Sequence, residues 1–220
     1  MAVAGPQLTD LGLCVILDRS AAGHRELDTI LAGVIAGGGR WVQLREKEWG
    51  VRQLLPVAER LSSRAREAGV RLIINDRLDL ALAVEADGLH VGQDDLPAIS
   101  ARRLLPGRIL GVSSHSLSQA VEAEAAGADY VAIGSIFSTS TKTEIYLVGI
   151  EAIRALRPRI RRPLVAIGGI TVENVAQVIR AGADGVAVIS AVCAAPDPAE
   201  ATRVLLRRIA EAKDERGLIP

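Results

Sequence analysis

Apolar positions along the chain fall into two alternating rhythms. Short aliphatic and β-branched runs recur as "LCVILD" (13–18), "WVQLR" (41–45), "LIIN" (72–75), "LHVG" (89–92), "ILGVSS" (109–114), "YVAIGS" (130–135), "PLVAIGG" (163–169) and "GVAVIS" (185–190). Each is followed by a helical pattern with apolar residues every three to four positions, as in "LSQAVEAEAAG" and "VENVAQVIRAG". Three segments, "EADGLHVG", "AGADYVAIG" and "AGADGVAVIS", repeat one theme: a helix ends, the chain turns at a small residue and an aspartate, and a strand begins. Strands that are apolar on both faces and alternate with amphipathic helices predict a parallel sheet covered by helices. Eight of them favour closure into a (β/α)8 TIM barrel over an open sheet. No G-x-G-x-x-G follows the first strand, which counts against a dinucleotide fold. The expectation is one α/β domain over residues 1–220, with short tails at about 1–10 and 213–220.

One stretch breaks the rhythm. In "RWVQLREKEWG" the polar residues Gln43, Arg45 and Lys47 are spaced by two, so on a strand they share a face while Val42 and Leu44 point the other way. That row is either the solvated side of an exposed edge or a cationic surface turned toward a ligand. In a barrel of this kind, ligands bind where the strands end. The second strand there carries Gln43, Arg45 and Lys47, the third Asn75 and Asp76, the fourth runs into Asp94 and Asp95, and the fifth ends in Ser113, Ser114 and His115. The sixth leads into "IFSTSTK", the seventh ends in Gly168 and Gly169, and the eighth in Ile189 and Ser190.

Charge and composition narrow the chemistry. Lysine plus arginine and aspartate plus glutamate both number 26, so no general cationic surface suits nucleic acid or membrane, and any basic site is local. The run "LGLCVIL" is too short to span a bilayer and lacks the lead and cleavage site of an export signal, which reads as a cytosolic protein. Cys14 and Cys193 sit in apolar contexts and read as reduced, buried thiols.

The strand ends combine a carboxylate pair, cations and glycines. Asp76 and Asp95 follow neighbouring strands and can meet at one hard cation such as Mg2+, which completes its shell with water and substrate phosphate. Asp76 reads equally as the N-cap of the helix that follows, and Asp95 as a turn residue before Leu96-Pro97. Arg45, Lys47 and Lys142 can neutralise a diphosphate. "AIGGI" and "VISA" suggest a second anion site after strands seven and eight, although a Gly-Gly pair alone more often serves tight packing. Two anion sites and a metal point to a transferase joining two phosphorylated halves. His115 reads as a helix-start residue, His90 as a strand residue and His24 as surface.

"VQLREK", "LIINDRLDLALAVEADGLHVGQDDLP", "GVSSHS", "GADYVAIGSIFSTSTK", "VAIGGITVENV" and "GADGVAVISAV" together resemble the thiamine phosphate synthase family in order and spacing over nearly the whole chain. The resemblance implies a Mg2+-dependent enzyme of thiamine biosynthesis that couples hydroxymethylpyrimidine diphosphate to a thiazole phosphate. It places Gln43, Leu44, Arg45, Glu46 and Lys47, with Asn75, Ser113 and Lys142, around the pyrimidine and its diphosphate, and Asp76 and Asp95 on the metal. Thr139, Ser140 and Thr141, with Gly169, Ile189 and Ser190, would hold the thiazole phosphate. Arg45, Lys47, Lys142 and Ser113 would be its catalytic groups. Many members have proline where this chain has Ser135 and Ser138, and "TEIYLV" is more apolar than the usual loop, so Ile145, Tyr146 and Leu147 are candidates for a lid or for packing on a second subunit. Two other readings stand beside this one, a thiazole tautomerase-like relative and a non-catalytic sensor of phosphorylated ligands. The tautomerase-like relatives lose the Gln-x-Arg-x-Lys row and the second aspartate.

Overall fold

The computed structural model describes residues 11–139 and 147–217. In chain order its elements are β1 (Leu13–Asp18), α1 (Arg19–Ala22), α2 (Leu27–Ala36), β2 (Trp41–Arg45), α3 (Val51–Glu67), β3 (Arg71–Asn75), α4 (Leu78–Ala83), β4 (Gly88–Val91), α5 (Ala98–Leu104), β5 (Ile109–Ser114) and α6 (Leu117–Ala125). There follow β6 (Tyr130–Ile133), α7 (Glu151–Leu156), β7 (Leu164–Ile167), α8 (Val175–Arg180), β8 (Gly185–Val188), α9 (Ser190–Cys193) and α10 (Pro198–Gly217). All eight strands are parallel and each pairs with the next, β8 with β1, so the sheet closes into the barrel the pattern predicts.

Alternation along the strands sorts two apolar layers. Val15, Leu17, Val42, Leu44, Leu72, Ile74 and Leu89 pack outward against the helices. Cys14, Ile16, Trp41, Ile73, Ile109, Tyr130, Val165 and Ala187 fill the barrel interior. Trp41, Ile109 and Tyr130 open their strands, so the interior is most bulky at the N-terminal end and narrows to small side chains such as Cys14, Ala132 and Ala187 above it. Gly111 is part of that arrangement, because a Cβ there would lie 2.0 Å from the Tyr130 ring. Both cysteines are buried free thiols, and burial pushes the Cys193 thiol up to about 11.

The repeated aspartate has a structural meaning at the N-terminal rim. The carboxylates of Asp87, Asp129 and Asp184 accept the amides of Leu72, Leu110 and Leu164, each at 2.8 Å, so one residue of each turn satisfies a donor in the first two residues of the preceding odd-numbered strand. Asp129 also takes Arg102 at 2.9 Å and Asp184 takes Arg157 at 2.5 Å. Helix α10 packs across α2 and α8 and closes the ring between the first and last units. Its last turn is tied to α8 by Arg180–Glu215 at 2.7 Å and to the Ala183 carbonyl by Arg216 at 2.9 Å. Residues 213–217, expected as tail, are therefore helical.

Candidate active site

The C-terminal ends of the strands surround one cavity that runs down into the barrel. Its wall includes Gln43, Arg45, Asn75, His90, Ser113, Thr139, Gly169, Ile189 and Ser190, with apolar Cys14, Ile16, Trp41, Ala132 and Ala187 below. The inward parity of β2 thus carries Trp41, Gln43 and Arg45 together. Strand β2 ends at Arg45, however, and Lys47 lies in the following loop, half exposed at the rim and ion-paired to Asp76. Leu44 faces the helices, so no side-chain contact with a ligand is open to it. Glu46 also turns away from the cavity. It receives Arg19 at 2.8 Å and the amides of Glu48 at 2.7 Å and Trp49 at 3.3 Å, which pins the loop. Those amides and Arg19 outweigh burial and hold its carboxyl below the usual glutamate value.

Asp76 follows the last residue of β3 with a left-handed backbone, φ 63°. It does not cap α4, whose N-cap is Arg77 without a side-chain hydrogen bond. Its carboxyl instead meets that of Asp95. Burial first, then the hydrogen bond shared with Asp95, raise the Asp76 carboxyl above its ordinary value despite Lys47. For Asp95, burial is outweighed by the hydrogen bond with Asp76 and by the Gly92 amide at 2.7 Å, so its carboxyl is lowered. Two acidic groups that follow adjacent strands are thus brought against each other, and their titrations are linked. The turn reading of Asp95 is correct as far as it goes, since the Gly92 contact is such a turn, and the other carboxyl contact comes in addition.

This pair suits a hard divalent cation, which would relieve the repulsion between two neighbouring carboxylates. Among the described residues no group of three or more His, Cys, Asp or Glu can hold a metal, so the rest of the shell would have to come from water and ligand oxygens, as is usual for Mg2+.

Several site residues carry no obvious mark in the sequence. His90 on β4 points inward, with Nδ1 2.9 Å from the Tyr130 hydroxyl and Nε2 2.8 Å from Ser113 Oγ. Gln93 Nε2 donates to the Ser113 carbonyl at 2.6 Å, so Ser113 is fixed through both its side chain and its backbone. His115 does not start a helix. Its Nδ1 donates to the Gly134 carbonyl at 2.5 Å while Ser116 caps α6. Asp18, at the end of β1, accepts Ser20 Oγ at 2.6 Å and pairs with Arg45. Parity on a strand would have flagged His90, and a carboxylate closing β1 would have flagged Asp18.

On the opposite side, β7 ends in Gly168 and Gly169, both at positive φ, 101° and 61°. A Cβ on Gly168 would lie 1.9 Å from Ser135 Oγ, and one on Gly169 2.4 Å from the Ser138 carbonyl oxygen. The pair therefore serves close packing of the loop after β6, and Gly169 still lines the cavity. Ser190 opens α9, an extra short helix after β8 of the kind that often flanks a phosphate site in such barrels. Ser140, Thr141 and Lys142, with Ile145 and Tyr146, lie outside the described residues; Leu147 is exposed.

Comparison with known proteins places this arrangement. The family profile described as thiamine monophosphate synthase matches residues 13–192. The thiamine-phosphate synthase of Chloroflexus aurantiacus is 46% identical over 212 residues, 96% of this chain and 98% of that protein. The thiamine-phosphate synthase of Moorella thermoacetica is 48% identical over 203 residues, 91% of this chain and 97% of the other. Among solved structures, the thiamine phosphate pyrophosphorylase of Pyrococcus furiosus superposes with a TM-score of 0.84 at 37% identity, covering 92% of this chain and 96% of that one.

Proposed function

The chain belongs to the thiamine monophosphate synthase family and makes thiamine phosphate, and from that premise we propose that it couples 4-amino-2-methyl-5-hydroxymethylpyrimidine diphosphate to 4-methyl-5-(2-hydroxyethyl)thiazole phosphate, or its carboxylated form, with release of diphosphate. The observation that carries this reading is the juxtaposition, around the ends of β1 to β4, of Arg45 paired with Asp18 and Lys47 paired with Asp76 beside Asp95, over a largely apolar cavity. A diphosphate at the rim and a flat ring below it suit that gradient.

The bond between the pyrimidine methylene and the diphosphate oxygen breaks with its electron pair leaving on the diphosphate. The aminopyrimidine stabilises the methylene cation, and the thiazole nitrogen lone pair forms the new C–N bond. No nucleophilic side chain is needed, so the protein contributes positioning and electrostatics. Arg45, Lys47 and Lys142 neutralise the departing charge. Gln43, Asn75 and Ser113 orient the ring, and Ser113 is itself held by His90. Thr139, Ser140, Thr141, Gly169, Ile189 and Ser190 take the thiazole phosphate. Asp76 and Asp95 would hold Mg2+, which when bound supplies further neutralisation of the diphosphate.

Among the described residues no helix is long and apolar enough to cross a membrane, in keeping with a reaction of small charged metabolites in the cytosol. The Gln-x-Arg-x-Lys row and the second aspartate are retained, so the tautomerase-like reading is not favoured. Incubation with both substrates and Mg2+ should yield thiamine phosphate and diphosphate in equal amounts. Ligand binding without any coupled product would overturn the synthase reading and leave the sensor and tautomerase-like readings.

A further inference from the structure

Arg45 is not held by its own strand alone. It lies beside Asp18 in the β1–β2 register, and its Nη1 donates to Asp18 Oδ2. The carboxylate is itself immobile: its side chain is 3% exposed, and Oδ1 accepts Ser20 Oγ at 2.6 Å and the Ala21 amide at 3.1 Å. The next residue adds to the grip, because Arg19 reaches Glu46 at 2.8 Å and Glu48, and its guanidinium lies 4.8 Å over the Trp49 ring. Two successive residues at the end of β1 therefore fix Arg45, Glu46, Glu48 and Trp49 around Lys47.

We propose that Asp18 is a positioning residue for diphosphate binding: it anchors one guanidinium nitrogen of Arg45 so that the remaining donors of the planar fork face the anion. This rests on the reading of Arg45 as a diphosphate ligand given above. A guanidinium has five N–H donors in one plane and can serve a carboxylate and a phosphate together, whereas a lysine ammonium is a single point charge. Arg45 lines the cavity, so its free edge is on the ligand side. A role confined to capping α1 would need only an oxygen acceptor for Ser20 and Ala21, which asparagine also provides. Asp18→Asn therefore separates the two roles, keeping the cap and removing the charge.

The test is calorimetric titration of inorganic diphosphate with Mg2+ into wild type, Asp18→Asn, Arg45→Ala and the double variant. Arg45→Ala should weaken binding at least about tenfold. Asp18→Asn should weaken it about tenfold alone and less than about twofold in the Arg45→Ala background, because a positioning effect vanishes with the group positioned. An equal loss in both backgrounds, or none in the wild-type background, overturns the proposal while leaving Arg45 as a ligand. Wild-type affinity in Arg45→Ala instead overturns the reading of Arg45 itself. Arg45→Lys leaves Asp18 untouched and guards against an unstable Asp18→Asn protein. It should bind diphosphate as weakly as Arg45→Ala, and wild-type affinity in that variant overturns the shared-fork geometry.

Discussion

The two rims of this barrel use the same residue type in opposite ways. At the N-terminal rim, Asp129 accepts a strand amide and an arginine, and that arginine spends its other nitrogen on the carbonyls of Leu105 and Arg108. Asp129 and Asp184 there each have an arginine of the other sign. At the C-terminal rim, Asp76 and Asp95 lie against each other with only the half-exposed Lys47 paired to Asp76, and Asp76 occupies a left-handed backbone that non-glycine residues seldom adopt. One rim is settled by the folded chain. The other sets two carboxyls against a single exposed ammonium, an arrangement that a metal and a charged substrate would relieve, which is why its residues are judged by turnover rather than by stability.

The largest expected effect breaks the upper rim alone. Asp95→Asn keeps an oxygen for the Gly92 amide but removes half of the carboxylate pair. Turnover should fall about a hundredfold or more, roughly 3 kcal/mol of transition-state stabilisation, with the melting temperature unchanged or slightly raised. Full turnover at limiting Mg2+ would sink the metal assignment. The mirror experiment is Asp129→Ala at the lower rim. It strands the buried end of Arg102 and the Leu110 amide, and should cost about 3 kcal/mol of stability, a melting point lower by roughly 6–12 °C. Turnover per folded molecule should stay at the wild-type value, and a hundredfold loss there would erase the distinction between the rims.

The sequence shows more of the lower rim and the strands than of the upper one. β1, β2 and β5 span the residues their apolar runs predict, because nothing interrupts the pleat before the strand ends. β6 and β7 stop earlier, at Ile133 and Ile167, where glycines and Ser135 leave the ladder to pack on one another. Period-two spacing correctly turns Gln43 and Arg45 inward but overextends the row to Lys47, which reaches the rim from a loop. Asp76 and Asp95 are legible as strand-end acids. Their mutual contact depends on the left-handed turn of Asp76, which residue type alone does not specify. His90 and Asp18 are missed for a related reason: their partners, Tyr130 with Ser113 and Arg45, come from other strands, and only the pairing of those strands in the sheet brings them together.

A finer comparison lies within the lower rim. Asp184 repeats the Asp129 arrangement, taking the Leu164 amide and Arg157, but its side chain is 32% exposed against 7% for Asp129. Water can replace much of what is lost. Asp184→Ala should therefore cost only about 1 kcal/mol, read from denaturant midpoints at unchanged slope. Equal losses at the two sites would mean that the strand amide, common to both, matters more than the arginine and its burial.

The smallest effect tests whether an upper-rim carboxylate can behave like a lower-rim one. Asp18 sits at the ligand end yet is fully partnered, by Ser20, Ala21 and Arg45. Burial alone would raise its carboxyl, but the Ser20 hydroxyl, Arg45 and the Ala21 amide outweigh it and hold the group below the usual aspartate value. A carboxyl depressed on folding contributes stability that is present in full above its unfolded pKa, about 3.9, and is lost as pH falls through the lower folded value. Wild type should therefore be more stable than Asp18→Asn at neutral pH. The gap should hold down to about pH 4 and shrink below it, because only wild type has that proton to take up. Melting both proteins across the acid range checks this. A gap that stays constant at every pH would mean that the Asp18 charge adds nothing to folding, and that the carboxylate on β1 belongs with Asp76 and Asp95 rather than with the settled aspartates of the lower rim.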